Sequence, residues 1–333
     1  MGRFIIRRLI GVVLLLVIVS IATFAVFFMG PKAVGAPVAR NFCGRVCDDD
    51  ALKAVTKKLG LDKPIVEQYG DYAKGIFFGR DYDQGADKTH CAAPCLGYSF
   101  KTDQSVWFII KDRLPVTISM AIGAAVIWLV SGVAVGIVSA LRKGSLFDRA
   151  AMTVALAGVS LPVYFTAVLG LFVFSYKFKV LPNVHYVGFT DNPISWARNL
   201  LLPWICLAFL YSATYARLTR ANMLETLGED YIRTARAKGL PENVVIRKHA
   251  FRAALTPIVT IFGLDLGGLL GGAVLTETVF NFRGIGYEAY AAIASQDLPI
   301  VLGITLFAAF FIIMANLIVD VAYAYVDPRV RYS

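Results

Sequence analysis

The chain has little with which to do chemistry. Its 333 residues include only three histidines, at positions 90, 185 and 249, too scattered to suggest a metal or proton-transfer cluster. It has no His-Glu-x-x-His stretch, the helical signature of a zinc protease. A Gly-x4-Gly-Lys-Ser/Thr loop is missing as well, so there is no obvious cradle for nucleotide phosphates. No repeat or low-complexity tract is apparent. Charge is scarce, at 17% of residues, and acidic charge scarcer than basic: 23 Asp and Glu against 33 Lys and Arg, a net of +10. A basic balance suits nucleic acid, and it suits cationic loops on one side of a membrane equally well. The positions of the charges separate the two.

What the chain does have is hydrophobic residues, 57% of the total. They gather into six apolar segments near 9–29, 116–141, 150–176, 200–218, 258–278 and 300–325. Runs of about 20 apolar residues cross a bilayer, and a soluble core does not need them. Inside lipid each must be helical, because an unpaired backbone polar group there costs several kcal/mol. The expected fold is therefore an all-α integral membrane protein with six transmembrane helices. The first segment follows Arg3, Arg7 and Arg8 and precedes small residues at 33–36, as a signal peptide would. Its length exceeds the ~7–15 residues of a signal-peptide core, so a retained anchor is expected.

Sixteen of the 33 cations fall in segments that lie inside if the N-terminus is inside, and eight of these lie between Arg217 and Arg252. The two short outer loops carry only Lys177, Lys179, Arg198 and Arg283. The other thirteen lie in the long 31–113 stretch, and stretches of that length translocate regardless of charge. The expected topology is N-in and C-in, and nucleic acid is not an expected partner; the lipid bilayer is. Cys43, Cys47, Cys91 and Cys95 all fall in the outer stretch, while Cys206 falls in a membrane segment. An even set of loop cysteines outside the cell implies two disulfides, of open pairing, with a four-thiolate zinc site as the alternative.

The expected organisation is an N-terminal helix over 1–30, an outer cap over 31–113 with helical patterns at 49–59 and 65–77, and a five-helix core over 114–333. The short turn at 142–148 makes the second and third helices an antiparallel hairpin. The inner segment 217–257 is polar yet rich in Ala and Leu and is broken at Gly239-Leu240-Pro241. It reads as two or three short helices at the membrane surface.

That inner segment contains Arg233-Thr234-Ala235 followed by Gly239, then His249-Ala-Phe-Arg252-Ala-Ala-Leu-Thr-Pro257. It resembles the cytoplasmic coupling loop of permeases in the dipeptide/oligopeptide/nickel family of binding-protein-dependent ABC importers. The general signature there begins Glu-Ala-Ala, and this chain departs from it in the first two letters. Leu59-Gly-Leu-Asp-Lys-Pro64, Gln68-Tyr-Gly-Asp-Tyr72, Arg113-Leu-Pro115, Ser160-Leu-Pro162 and Val180-Leu-Pro182 are similar to other segments of the family's B-type subunit. So are Gly271-Gly-Ala-Val-Leu-Thr-Glu277, Gly284-Ile-Gly286, Asp297-Leu-Pro299 and the end from Asn316 to Arg329. Arg283 stands where the family usually has proline, and the four-cysteine stretch is not part of the common pattern.

The resemblance implies a type I importer arrangement and a permease that does no chemistry itself. A second homologous permease would complete the channel as a heterodimer, two ATPase subunits would supply ATP and Mg chemistry, and an extracytoplasmic binding protein would deliver the substrate. Short peptides are the implied substrate, with nickel chelates or other small solutes as alternatives. The ATPases would dock on Arg233, Ala235, Arg236, Ala237, Lys238, Gly239 and Leu240. There the small faces of Ala235, Ala237 and Gly239 suit a groove, and the cations suit register.

In the membrane, Asp265 lies near mid-depth, where a carboxylate facing lipid costs a few kcal/mol. It is expected either to line the translocation path or to pair with a polar group on a neighbouring helix. Pro162 is expected either to kink the third helix and shape that path or to be merely tolerated there. Asn316, with Asp320, lies in the inner half of the last helix and either joins the path or bonds to a partner helix. Glu277 is expected to fix a helix end or loop. Gly263, Gly267, Gly268, Gly271 and Gly272 have the spacing that lets helices pack closely, within the chain or against the second permease. An ion-driven transporter would use broken helices with midplane ligands, and a membrane-anchored enzyme would need a site in the cap. Asp265 alone points toward the first and nothing toward the second.

Overall fold

The computed structural model describes residues 2–33, 39, 48–58, 61–83, 88–181 and 185–326. Cys43, Cys47, Pro182 and the motif from 327 onward lie outside the described residues, as does the side chain of Asp320.

The long helices are α1 (Gly2–Ala33), α4 (Val106–Leu141), α7 (Pro193–Gly228), α9 (Glu242–Leu270) and α12 (Leu298–Val326). All five are long and apolar enough to cross a membrane. A sixth crossing is made by α5 (Leu146–Ser160) and α6 (Val163–Lys177) if that pair is one span, but the two are bent by 103°. The expected single helix over 150–176 is therefore broken. Pro162 has no N–H to donate, and it drives Leu161 out of helical geometry, to φ −88° and ψ 128°.

The helices also overrun the apolar stretches. The second begins at Val106, ten residues before the expected 116, because Ser105 caps it by accepting from the Phe108 N–H at 3.3 Å. Pro115 thus lies inside the helix instead of at its start. At the other end of the sequence, the inner segment is not a set of surface helices. One short helix, α8 (Asp230–Ala237), turns at Gly239, and α9 then runs from Glu242 into the membrane without a stop. The helix in turn ends at Leu270, eight residues short of the expected 278. Gly272 there takes a positive φ of 126°, and a Cβ on it would sit 2.7 Å from Gly286 Cα. The short helices α10 (Val274–Val279) and α11 (Ile285–Ala294) fill the outer corner before α12.

The centre of the bundle is α4 against α7, with Trp128, Tyr215, Met120 and Leu200 fully enclosed. The seam between α9 and α12 is made of small residues. A Cβ at Gly263, Gly267 or Gly271 would lie 1.9 Å from Val319, 2.5 Å from Ala315 or 2.8 Å from Ala308. Those three glycines pack within the chain, whereas Gly268 faces open space.

The cap comprises α2 (Asp49–Lys58), α3 (Ile65–Phe78) and two antiparallel ribbons: β1 (Arg80–Asp83) with β2 (Lys88–Cys91), and β3 (Tyr98–Ser99) with β4 (Gln104–Ser105). A disulfide joins Cys91 to Cys95. It takes two of the four thiols away from any four-thiolate zinc site. Tyr72 of α3 packs with Phe24 of α1 and Leu302 of α12, and Ser99 Oγ donates to the buried Asp297 carboxylate at 2.5 Å. The cap is thus fastened to the membrane helices.

On the opposite side, Asp148 gathers three helix ends. Its buried carboxylate accepts from Arg220 Nε at 2.6 Å and Nη2 at 2.8 Å, from Ser139 Oγ at 2.5 Å and from the Gly144 N–H at 2.9 Å.

Candidate functional site: the inner helix and the membrane carboxylates

The helix α8 is amphipathic and hangs from the bundle by two side chains. Ile232 is fully buried and Ala235 is 7% exposed, both against Ala140 of α4, Met223 of α7 and Val245, Ala250 and Ala254 of α9. Tyr231, Arg233, Thr234, Arg236, Ala237, Lys238, Gly239 and Leu240 face outward. The idea of one small face comprising Ala235, Ala237 and Gly239 is corrected here: Ala235 turns inward, and only the other two are presented. With a period of 3.6 residues, positions 232 and 235 share a face that 237 does not, and Gly239 lies past the end of the helix, in the turn.

The end of α8 explains the spacing of the motif. Gly239 N–H donates to Arg236 O at 2.9 Å, and Leu240 N–H reaches back to Ala235 O at 3.4 Å. This pair of bonds is a Schellman stop, which requires the left-handed conformation at the residue after the cap. Gly239 supplies it with φ 76°. Pro241 then prevents continuation, so the Ala-x3-Gly spacing is that of a buried helix residue and the glycine that ends the helix. Arg236 grips Glu242 with two bonds of 3.1 and 2.7 Å, and Arg233 lies 3.5 Å from Asp230. Lys238 has no ion-pair partner among the described residues.

Within the bundle, Asp265 of α9 is half-buried and accepts a hydrogen bond from Tyr215 Oη of α7 at 2.8 Å. Tyr215 stands beside Trp128 of α4, with ring centroids 6.3 Å apart. The carboxylate is therefore paired with a neighbouring helix. Pro162 caps α6 at the break and is exposed, and Asn316 is exposed on α12. No hydrogen bond among the described residues links these three.

Glu277 has more partners than any of them. It is fully buried in α10 and accepts from Thr117 Oγ1 of α4 at 2.8 Å, from the Tyr287 N–H of α11 at 2.8 Å and from the Ala273 N–H at 3.3 Å. Thr117 Oγ1 in turn accepts from the Ile285 N–H at 2.8 Å. Gly284 and Gly286 let these groups meet, since a Cβ on either would press on Glu277 at 2.6 and 3.1 Å. The Gly-x-Gly spacing and the mid-motif glutamate were the available signals. Asp148 and Arg220 carried none, being 72 residues apart.

Among the described residues, no three His, Cys, Asp or Glu side chains gather into a possible metal site. Five to six membrane-length helices, with a cap on one side and a helix presented at a turn on the other, define a multi-pass membrane protein. The chain belongs to the family of binding-protein-dependent transport system inner membrane components: that family's model matches residues 132–332, and the model of its N-terminal part matches residues 1–121.

Named relatives agree with it along the whole length. A putative peptide transport system permease protein of Brucella abortus (strain 2308) is 38% identical over 333 residues, covering 100% of both chains. A dipeptide transport system permease protein of Escherichia coli (strain K12) is 35% identical over 356 residues, again covering 100% of both. A di/tripeptide transport system permease protein of Pseudomonas aeruginosa (strain UCBPP-PA14) is 36% identical, covering 95% of this chain and 94% of its own.

Proposed function

We propose that this chain forms one half of the membrane channel of an ATP-driven peptide importer and that α8 is where its ATPase subunits push. The observation that carries the reading is α8 itself. It is hung from three membrane helices by Ile232 and Ala235, stopped by Gly239, and directs Arg233, Ala237, Lys238 and Leu240 away from the bundle. Full-length similarity to peptide permeases supports the substrate class.

In this reading a second, homologous permease completes the channel, and a binding protein delivers peptide to the outer face. ATP and Mg are handled by the two ATPases, and this chain converts their closure into access from one side or the other by rigid-body movement. The cationic inner segments support a topology with both termini inside, which requires α5 and α6 to count as one crossing. Asp265, Pro162 and Asn316 belong to the path in this account, with Asp265 offering a carboxylate to the amino end of a peptide once Tyr215 moves.

The test is to purify the assembled complex with Ala237→Trp in this chain. Ala237 is exposed, so the fold tolerates the larger side chain while the docking surface does not. The expected result is loss of the ATPase subunits from an otherwise intact pair of permeases. Retention of both ATPases with undiminished peptide uptake would remove α8 from the interface.

A further inference from the structure

We infer that the Asp148–Arg220 pair is the joint that carries movement of α8 into the broken span α5–α6; this rests on the importer reading above. Arg220 lies on α7 eight residues before its end at Gly228, or about 12 Å along the helix at 1.5 Å per residue. Whatever displaces α8 displaces the end of α7 with it, because only Glu229 separates them.

Among the described residues, one ion pair, Arg220 with Asp148, links α7 to α5. Asp148 stands in the first turn of α5, 3% exposed, and its two oxygens take four hydrogen bonds. Two of them come from one guanidinium, and the others come from α4 and from the turn between α4 and α5. A two-pronged guanidinium contact fixes rotation as well as distance, which a single ammonium contact does not. Farther along, α5 meets α7 at Gly158, where a Cβ would lie 3.0 Å from Ala213. Beyond the break, α6 meets α7 at Gly170, where a Cβ would lie 2.9 Å from Cys206 Sγ. Contacts through small residues let helices slide; the charged fork on a buried carboxylate does not. In this reading α5 is driven at its inner end by the pair, and α6, joined to it by the two residues of the 103° bend, is carried with it.

Neither residue touches peptide or nucleotide in this account. They act as positioning residues, and their effect is on the efficiency of transmission. The experiment uses the complete importer in proteoliposomes and measures ATP hydrolysed per peptide imported. It uses Arg220→Lys, which keeps the charge and loses the fork, and the double variant Asp148→Leu with Arg220→Leu, which leaves no unpaired buried charge.

The expected result is normal assembly and basal hydrolysis, with ATP consumed per peptide rising by at least about fivefold, as for the loss of a coupling free energy of ordinary size. A ratio equal to that of the unaltered importer, with hydrolysis and uptake falling together, would make the pair merely structural and overturn the inference. So would failure of both variants to assemble. If the unaltered complex shows no ATP-dependent uptake, the importer reading itself fails, a distinct result.

Discussion

Replacing Glu277 with alanine should be among the most damaging single changes in this chain, although Glu277 touches neither α8 nor Asp265. The side chain is 0% exposed, and it is the acceptor for two backbone N–H groups and one hydroxyl. Alanine leaves the N–H groups of Ala273 and Tyr287 without that acceptor, at about 1–3 kcal/mol for each buried orphan. Loss of the side chain also opens a void, which costs about 2 kcal/mol or more for large-to-alanine changes. The sum is about 4–8 kcal/mol, or about a thousandfold or more in the folded-to-unfolded ratio. Glutamine keeps one acceptor oxygen and turns an N–H₂ toward the other donors, so it should lose about 1–3 kcal/mol.

The assay is the temperature at which the purified complex loses its monodisperse peak, with the half-buried neighbour Thr278→Ala as control. The expected order is wild type and control together, then glutamine, then alanine. The reasoning is refuted if Glu277→Ala melts with the control, or if glutamine and alanine melt together.

Three further outcomes follow from single sites. Gly267→Ala should separate α9 from α12, since its Cβ would lie 2.5 Å from Ala315 Cβ, and cost about 1–3 kcal/mol by overpacking; Gly268→Ala should leave the chain's melting point unchanged. Gly239→Ala should cost about 1–2 kcal/mol of local stability, because an L-residue must hold φ 76°, and limited proteolysis should cut 238–241 faster. In the cap, Lys63 Nζ donates to Asp71 at 2.8 Å, which lowers the Asp71 carboxyl from its ordinary value and raises the Lys63 ammonium. The Asp71 contribution is present above about pH 4, the unfolded value, and fades as pH falls through the lowered folded one; the Lys63 contribution fades as pH rises through its raised value. Asp71→Asn should therefore flatten both limbs of cap stability against pH, read by proteolysis, and an unchanged profile would dismiss the pair.

Much of this architecture was legible because lipid leaves few choices. An apolar run of bilayer length has to be a helix, so the long helices fell near their expected places. Their ends did not. Val106–Leu141 and Pro193–Gly228 extend well beyond their apolar stretches, since a helix continues in water wherever a cap or packing supports it. The proline at 162 announced a disturbance, but neighbouring helices set the size of a bend, and 103° was not there to be read.

The motif around α8 located the helix without revealing which residues turn inward. Ala235 looked like part of a docking face until its carbonyl and side chain were both found engaged. Pairings across long separations, such as Thr117 with Glu277 and Asp148 with Arg220, leave no pattern in a single sequence. The cap cysteines show the same limit from the other side: pairing was open, and Cys91 joins its near neighbour Cys95.

The most direct test of the central claim is peptide uptake by proteoliposomes holding this chain, its partner permease and both ATPases, with binding protein outside. The account predicts uptake that needs ATP inside and binding protein outside, and that disappears with Ala237→Trp while the two permeases stay together. Uptake by this chain alone, without ATP and following an ion gradient, would contradict it.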